Sequence, residues 1–172
     1  SKELKAPLNF LTRDAQLYGI PDLSEIGGQN QIEPLIHDDI KLVVIDNLST
    51  LIRSGKEDES DSWLPMQNWL LSLRSLGKSV LLIHHAGKSG QQRGTSRRED
   101  VLDTVISLKR PTDYIQEEGA RIEFHFEKNR ALLGDEVKPF EARLESNTNK
   151  DGLETLKWTW KSLEDSNFVK VC

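Results

Sequence analysis

Two apolar runs organise the first half of the chain. Lys41 to Leu51, KLVVIDNLSTL, is a β-branched stretch that breaks off at Asp46 and passes into a small polar turn. Ser79 to His84 is the second, ending in His84 and His85 ahead of a basic, glycine-rich stretch, AGKSGQQRG. Short apolar runs bounded by turn signals are the pattern of strands buried on both faces. Between them Trp63, Met66, Leu70, Leu73 and Leu76 recur with helical spacing, which predicts a helix carrying all five on one face. Asp61 or Ser62 is placed to cap that helix, Pro65 falls in its first turn, and Gly77 closes it. Strand, helix, strand with both strands apolar predicts a right-handed βαβ crossover and therefore a parallel sheet.

The flanks are plainer. Leu8 to Thr12 reads as a short strand, Gly19 to Leu23 as a turn, and Ile32 to His37 as the tail of a short helix. SGKEDESDS, Ser54 to Ser62, is a polar, acidic loop. The second half changes character. Val101 to Lys109 is apolar, helical at first and strand-like at its end, and PTDYIQEEGA is a turn-rich connection. Arg121 to Phe126 alternates, with Ile122, Phe124 and Phe126 set against Glu123 and His125. Phe140 to Leu144 offers a partner strand, and Leu156 to Trp160 alternates again with Trp158 and Trp160 on one face. The tryptophans read as core or edge cover in preference to a base-stacking platform. The expected fold is α/β, a parallel sheet with antiparallel strands added at its C-terminal side.

Asp46 is the first candidate for chemistry. A strand that delivers one carboxylate to its C-terminal tip suits Mg²⁺, which takes oxygen ligands and keeps several waters beside substrate phosphates. In open α/β sheets the ligand site lies outside those carboxyl ends, where Asp46 and His84 would both sit. The plain alternative is that Asp46 merely starts a turn through an Asx hydrogen bond. His85 faces away from His84 and reads as structurally pinned.

Composition narrows the classes. The 172 residues are 36% hydrophobic, enough for a core and natural for one domain. With 23 basic and 28 acidic residues the net charge is −5, so any contact with nucleic acid has to be local. Lys88, Arg93, Arg97 and Arg98 form the local basic stretch, a candidate for sequence-independent phosphate contacts or a solvated loop balanced by Glu99 and Asp100. A single cysteine, Cys172, excludes an intrachain disulfide and thiolate clusters. No membrane span or charged-then-apolar leader is apparent, and the expected compartment is the cytoplasm.

The Asp46 strand, the HHAGKSGQQRGTSRRED block and the later FEKNRALLG segment resemble the C-terminal half of a RecA-like ATPase of the hexameric replicative helicase group. The likeness extends to ATPases of plasmid replication proteins and of phage or plasmid primase-helicases, and runs from about Asn9 to Leu144. It implies ATP and Mg²⁺ as cofactors, single-stranded DNA as a partner and a homo-oligomeric ring, a hexamer by analogy. Asp46 resembles the Walker B aspartate. His84 stands where a polar sensor residue reports the γ-phosphate to the DNA-binding loop, and Gly87 to Arg98 corresponds to that loop. Lys128 and Arg130 match the basic pair that reaches the neighbouring subunit's site as an arginine finger, with Arg93 a competing finger.

One motif is missing. GxxxxGK[ST] occurs nowhere, and the GKS of Gly87 to Ser89 follows a strand without the preceding glycine at the proper spacing. The resemblance therefore implies an ATPase core fragment over 1–155 that lacks its P-loop portion, followed over 156–172 by an edge strand and the start of a linker or further domain. Such a core would leave a strand edge unpaired and apolar faces uncovered. The expected function is part of an ATP-hydrolysing motor on single-stranded DNA. The alternative is a non-catalytic oligomerisation or DNA-binding module with the same fold. A zinc hydrolase built on His84, His85 and His125 fits less well, since their spacing is not that of a known ligand set.

Overall fold

The computed structural model describes residues 6–53, 60–85, 99–148 and 152–164. The chain divides into two compact units, Ser1–Val101 and Leu102–Cys172.

The first unit is built on a parallel strand pair. It runs through α1 (Ile26–Ile32), a 3-10 turn at Glu33–Leu35, β1 (Leu42–Asp46), α2 (Leu48–Leu51), α3 (Ser60–Ser75) and β2 (Ser79–Ile83). β1 and β2 pair in parallel from Leu42 opposite Ser79 to Asp46 opposite Ile83, as the βαβ pattern requires. Trp63, Met66, Trp69, Leu70 and Leu73 of α3 form the core with Leu23, Ile45 and Leu48, and Val43, Val80 and Leu82 pack against it. Trp69 also donates its indole N–H to Glu33 Oε1 at 3.1 Å. The other face of the strand pair is open: Leu42, Val44 and Leu81 are each at least half exposed.

The end of α3 shows why it stops. Gly77 takes φ +74°, its N–H donates to Arg74 O at 2.9 Å and that of Lys78 to Leu73 O at 3.0 Å, the two bonds of a Schellman cap. Leu76 therefore lies outside the helix and is exposed, and Trp69 takes the place expected for it in the core. The helix starts earlier than the sequence pattern indicates. Asp61 and Ser62 lie inside it rather than capping it, and Pro65 sits past its first turn, where its missing N–H forfeits one backbone bond.

A strap crosses the end of α2. Asp22 Oδ1 accepts from Ser24 N–H at 2.9 Å, Ser24 Oγ–H at 2.6 Å and Arg53 N–H at 3.1 Å, while Leu23 N–H donates to Leu51 O at 2.8 Å. Gly28 makes the close packing possible, since a Cβ there would lie 1.9 Å from Asp22 O. Leu8 to Thr12 is not a strand: it meets no partner strand among the described residues, and Leu8 and Phe10 are exposed. A single unpaired segment has no ladder to satisfy its backbone.

The second unit is an antiparallel sheet ordered β3 (Thr104–Lys109), β4 (Arg121–Asn129), β5 (Phe140–Thr148) and β6 (Glu154–Ser162). These strands form a four-stranded sheet of their own and do not extend the parallel pair. Val101 to Asp103 is a turn, not the start of a helix. Its cross-strand pairs sort the side chains cleanly. Phe124 stacks on Phe140 with centroids 4.6 Å apart, and Phe140 meets Trp160 edge-on at 6.4 Å. On the opposite face Arg121, at 8% exposure, sits between Glu141 Oε2 at 2.9 Å, Glu118 Oε2 at 2.9 Å and Asp113 Oδ1 at 3.0 Å. Arg143 pairs with Glu118 and Lys161 with Glu141. Among the described residues no helix is long and apolar enough to cross a membrane.

Candidate functional site

β1 ends on Asp46, and the register brings that end level with the end of β2, Asp46 opposite Ile83 and His84 next in line. The two strand tips anticipated from the sequence are therefore neighbours. Turn formation just beyond Asp46 is the work of Asn47. Its side chain accepts from Thr50 N–H at 3.1 Å, and Thr50 Oγ1 donates back to Asn47 O at 3.0 Å, which caps α2. The Asp46–Asn47 peptide bond is cis. Among the described residues the Asp46 carboxylate makes no hydrogen bond or ion pair, and it is exposed. An exposed carboxylate at a strand tip, relieved of the cap, is chemically a free pair of hard oxygen ligands, the donor type that Mg²⁺ takes.

His84 and His85 differ in enclosure. His85 is exposed, whereas His84 is half-buried with its Nε2 shielded from solvent. β2 stops at Ile83, so neither histidine has a ladder to hold it to one side. Among the described residues no group of three or more His, Cys, Asp or Glu could hold a metal ion, which leaves the zinc reading without a ligand set. Lys88, Arg93, Arg97 and Arg98 lie outside the described residues.

Lys128 and Arg130 belong to the second unit. A β-bulge between β3 and β4 sets Val105 opposite Lys128 and Ile106 opposite Phe126, with Glu127 as the extra residue. The alternation read from the sequence breaks there, and the bulge re-aims Lys128 relative to Phe126. Arg130 follows the strand end in a turn organised by Asn129. The Asn129 side-chain oxygen accepts from Ala131 N–H at 3.2 Å and Leu132 N–H at 3.0 Å, and its amide donates to Leu132 O. Arg130 N–H bonds Asp103 O at 3.0 Å, and its guanidinium lies 3.7 Å from the Asp103 carboxylate, both half exposed. At that separation and exposure the pair is a weak restraint.

Two positioning residues were not singled out from the sequence, Asn47 and Asn129. Each had a signal in the chain, an Asn directly after a strand-ending residue or at a strand end, with a polar or small residue two or three places on.

Residues 14–91 match the family model of an AAA domain. The match covers under half of the chain and contains β1, α2, α3 and β2 with Asp46, His84 and His85; Lys128 and Arg130 fall outside it. It supports an ATPase-type, nucleotide-using domain in general terms, of mixed α/β fold. No curated protein and no solved structure matches the chain.

Proposed function

We propose that this chain is the Walker B and sensor portion of a RecA-like, ring-forming ATPase that moves on single-stranded DNA in replication or in mobile-element maintenance. The observation that carries the reading is the division of labour at the tip of β1: Asn47 takes the cap and Asp46 is left exposed beside the end of β2. Asp46 would hold Mg²⁺, which supplies charge stabilisation to the transferring phosphoryl group. His84 would sense the γ-phosphate from the adjacent strand tip. Arg130, with Lys128 beside it, would act in trans on a neighbouring subunit of a hexamer, and Arg93 is the rival for that part. Lys88, Arg93, Arg97 and Arg98 would track the DNA backbone through salt-sensitive contacts.

The phosphate cradle is the part these residues do not supply, so the 172-residue chain should bind Mg·ATP weakly and turn nothing over. The decisive experiment uses a polypeptide extended upstream of Ser1 to include a GxxxxGK[ST] strand-to-helix turn. Asp46→Asn and Arg130→Ala should each abolish ATP turnover while nucleotide binding persists. Mixing the two inactive proteins should restore activity, because some interfaces then join an intact Asp46 to an intact Arg130. Unchanged turnover in Asp46→Asn would overturn the magnesium role. Recovery with Arg93→Ala in place of Arg130→Ala would move the finger to Arg93. Absence of any such upstream motif would favour the non-catalytic binding module.

A further inference from the structure

α2 is a single turn of 4 residues, Leu48–Leu51, and it opens directly behind Asp46. One turn fixes several residues in return for very few backbone bonds, so a helix this short persists only where its ends are tied. Asn47 ties the first end through Thr50 N–H. The second end is tied by a segment distant in sequence, Ile20 to Ser24. Asp22 Oδ1 accepts from Arg53 N–H at 3.1 Å, Leu23 N–H donates to Leu51 O at 2.8 Å, and the Arg53 guanidinium donates to Ile20 O. This strap is anchored in its own right. Leu23 is buried in the core, the buried Gln29 donates its side-chain amide to Leu23 O at 2.9 Å, and Ser24 donates to Asp22 Oδ1 from both its N–H and its hydroxyl.

Asp22 supplies the tie that a strap side chain makes; the other two use strap backbone groups, Leu23 N–H and Ile20 O. Its Oδ1 already holds three donors, two from Ser24 and one from Arg53, so this oxygen acts on the strand tip through α2 and not as a metal ligand. We propose that Asp22 is a positioning residue for the tip of β1. By holding the far end of α2 it keeps Asn47 in its cap, and with Asn47 it keeps the Asp46 carboxylate beside the end of β2. The proposal rests on the magnesium role given to Asp46 above. Mg²⁺ demands near-octahedral geometry, and a catalytic group displaced by about 1 Å can cost about a hundredfold in rate. A tip released from α2 would keep its ladder bonds to β2 and lose the aim of its carboxylate.

Amide exchange of the 172-residue chain, read residue by residue by NMR, tests the positioning directly. Asp22→Ser keeps an oxygen for Ser24 N–H but is too short to reach Arg53 N–H, Asp22→Ala removes both contacts, and Asp22→Asn keeps both. The Thr50 and Ile52 amides bond within α2 and its cap, away from Asp22. In the serine and alanine variants they should exchange at least about tenfold faster, the loss of one charge-assisted bond. Amides of the β1–β2 ladder should stay protected, and Asp22→Asn should behave as wild type. Exchange rising equally in α2 and the ladder would make Asp22 a fold residue only and overturn the proposal. Unchanged exchange at Thr50 and Ile52, or failure of both variants to fold, would overturn it too. In the polypeptide extended upstream of Ser1, Asp22→Ser should raise the Mg²⁺ concentration for half-maximal ATP turnover about tenfold, with ATP binding unchanged and Asp22→Asn restoring the wild-type requirement. Trp69→Phe, which loses the bond to Glu33 and no tie to α2, should lower stability without moving that requirement. If Asp46→Asn abolishes turnover and Asp22→Ser leaves the requirement unmoved, the proposal falls and the magnesium reading stands. If Asp46→Asn leaves turnover unchanged, both fall.

Discussion

The two sheets of this protein obey the same alternation and end in opposite states. In the first unit the apolar face of β1 and β2 that meets α3 is buried, and Met66 has no exposed surface at all. In the second unit the charged face is the enclosed one, with Arg121 at 8% and Glu141 at 6% exposure, while Trp160 stands 76% exposed. Connection chemistry accounts for the difference. Parallel strands need a crossover, and the crossover helix necessarily lies on the sheet. Antiparallel strands are joined at their ends, so their connections need not cross either face. Here the Pro111–Ala120 link delivers Asp113 and Glu118 to the Arg121 side, which closes the polar face and leaves the aromatic one open.

The sharpest break of that comparison is between two tryptophans. Trp69→Ala should destabilise the first unit by about 3–5 kcal/mol, the cost of a truncated core aromatic, with the loss of its bond to Glu33 included. Trp160→Ala should change unfolding of the dilute monomer by less than about 1 kcal/mol, because most of the ring is already in water. Urea titration followed by far-UV circular dichroism reads both. Equal effects would mean that the open face is covered in the folded monomer.

Next in size is the charged face. Removing Arg121 leaves Glu141 enclosed and partly unpaired, and Arg121→Met should cost about 2 kcal/mol, below the range for a fully buried pair because Lys161 and Asp113 keep the cluster near solvent. Hydrogen bonding from Arg121 holds the carboxyls of Glu141, Glu118 and Asp113 below their ordinary values, and the guanidinium in turn is held protonated chiefly by Glu141. A carboxyl depressed in the folded state adds stability above its unfolded pKa and loses it as pH falls through the folded one. Thermal unfolding should therefore show a fall in stability beginning at about pH 4 and continuing below it. That fall should flatten in Arg121→Met; an unaltered acid limb would assign the acid sensitivity elsewhere.

The smallest effects fall at the β1 tip. Asn47→Ala should cost about 1 kcal/mol as a lost cap. Asp46→Asn should stay within about 0.5 kcal/mol, since the carboxylate has no partner among the described residues. Chemical denaturation of the two variants side by side checks this; a larger penalty for Asp46→Asn would return the cap to Asp46.

How far the chain could be read depended on whether a segment carries its own partner. The crossover was legible because β1, α3 and β2 are contiguous and each apolar position answers another nearby. Trp69 escaped notice because the stripe on α3 is wider than a single row of Trp63, Met66, Leu70 and Leu73. Leu76 was over-counted because the Gly77 cap starts one residue earlier than the apolar pattern ends. Leu8 to Thr12 shows the converse: β propensity without a partner strand makes no strand. Face membership of Ile122, Phe124, Trp158 and Trp160 was visible in the alternation, but which face would be covered was not, because that depends on groups brought in from Pro111–Ala120. At the candidate site, Asp46 and His84 could be placed from the strand ends alone. The bulge at Glu127 could not, since a one-residue slip leaves no mark in a period of two.

Gly28 carries a consequence for how this protein would look to genetics. Any side chain there would push on the Asp22 carbonyl, and Asp22 is tied through Arg53 N–H to the segment that leaves α2, the helix that opens directly behind Asp46. If Asp46 holds magnesium as proposed, a survey of inactivating substitutions in an active parent protein would return position 28 together with position 46, although Gly28 brings no group to the chemistry. Inheritance patterns alone would enrol it in the proposed site. The two classes part company when the mutant proteins are purified, for a lesion at 28 lowers the amount of folded protein and one at 46 leaves a full yield of an idle one.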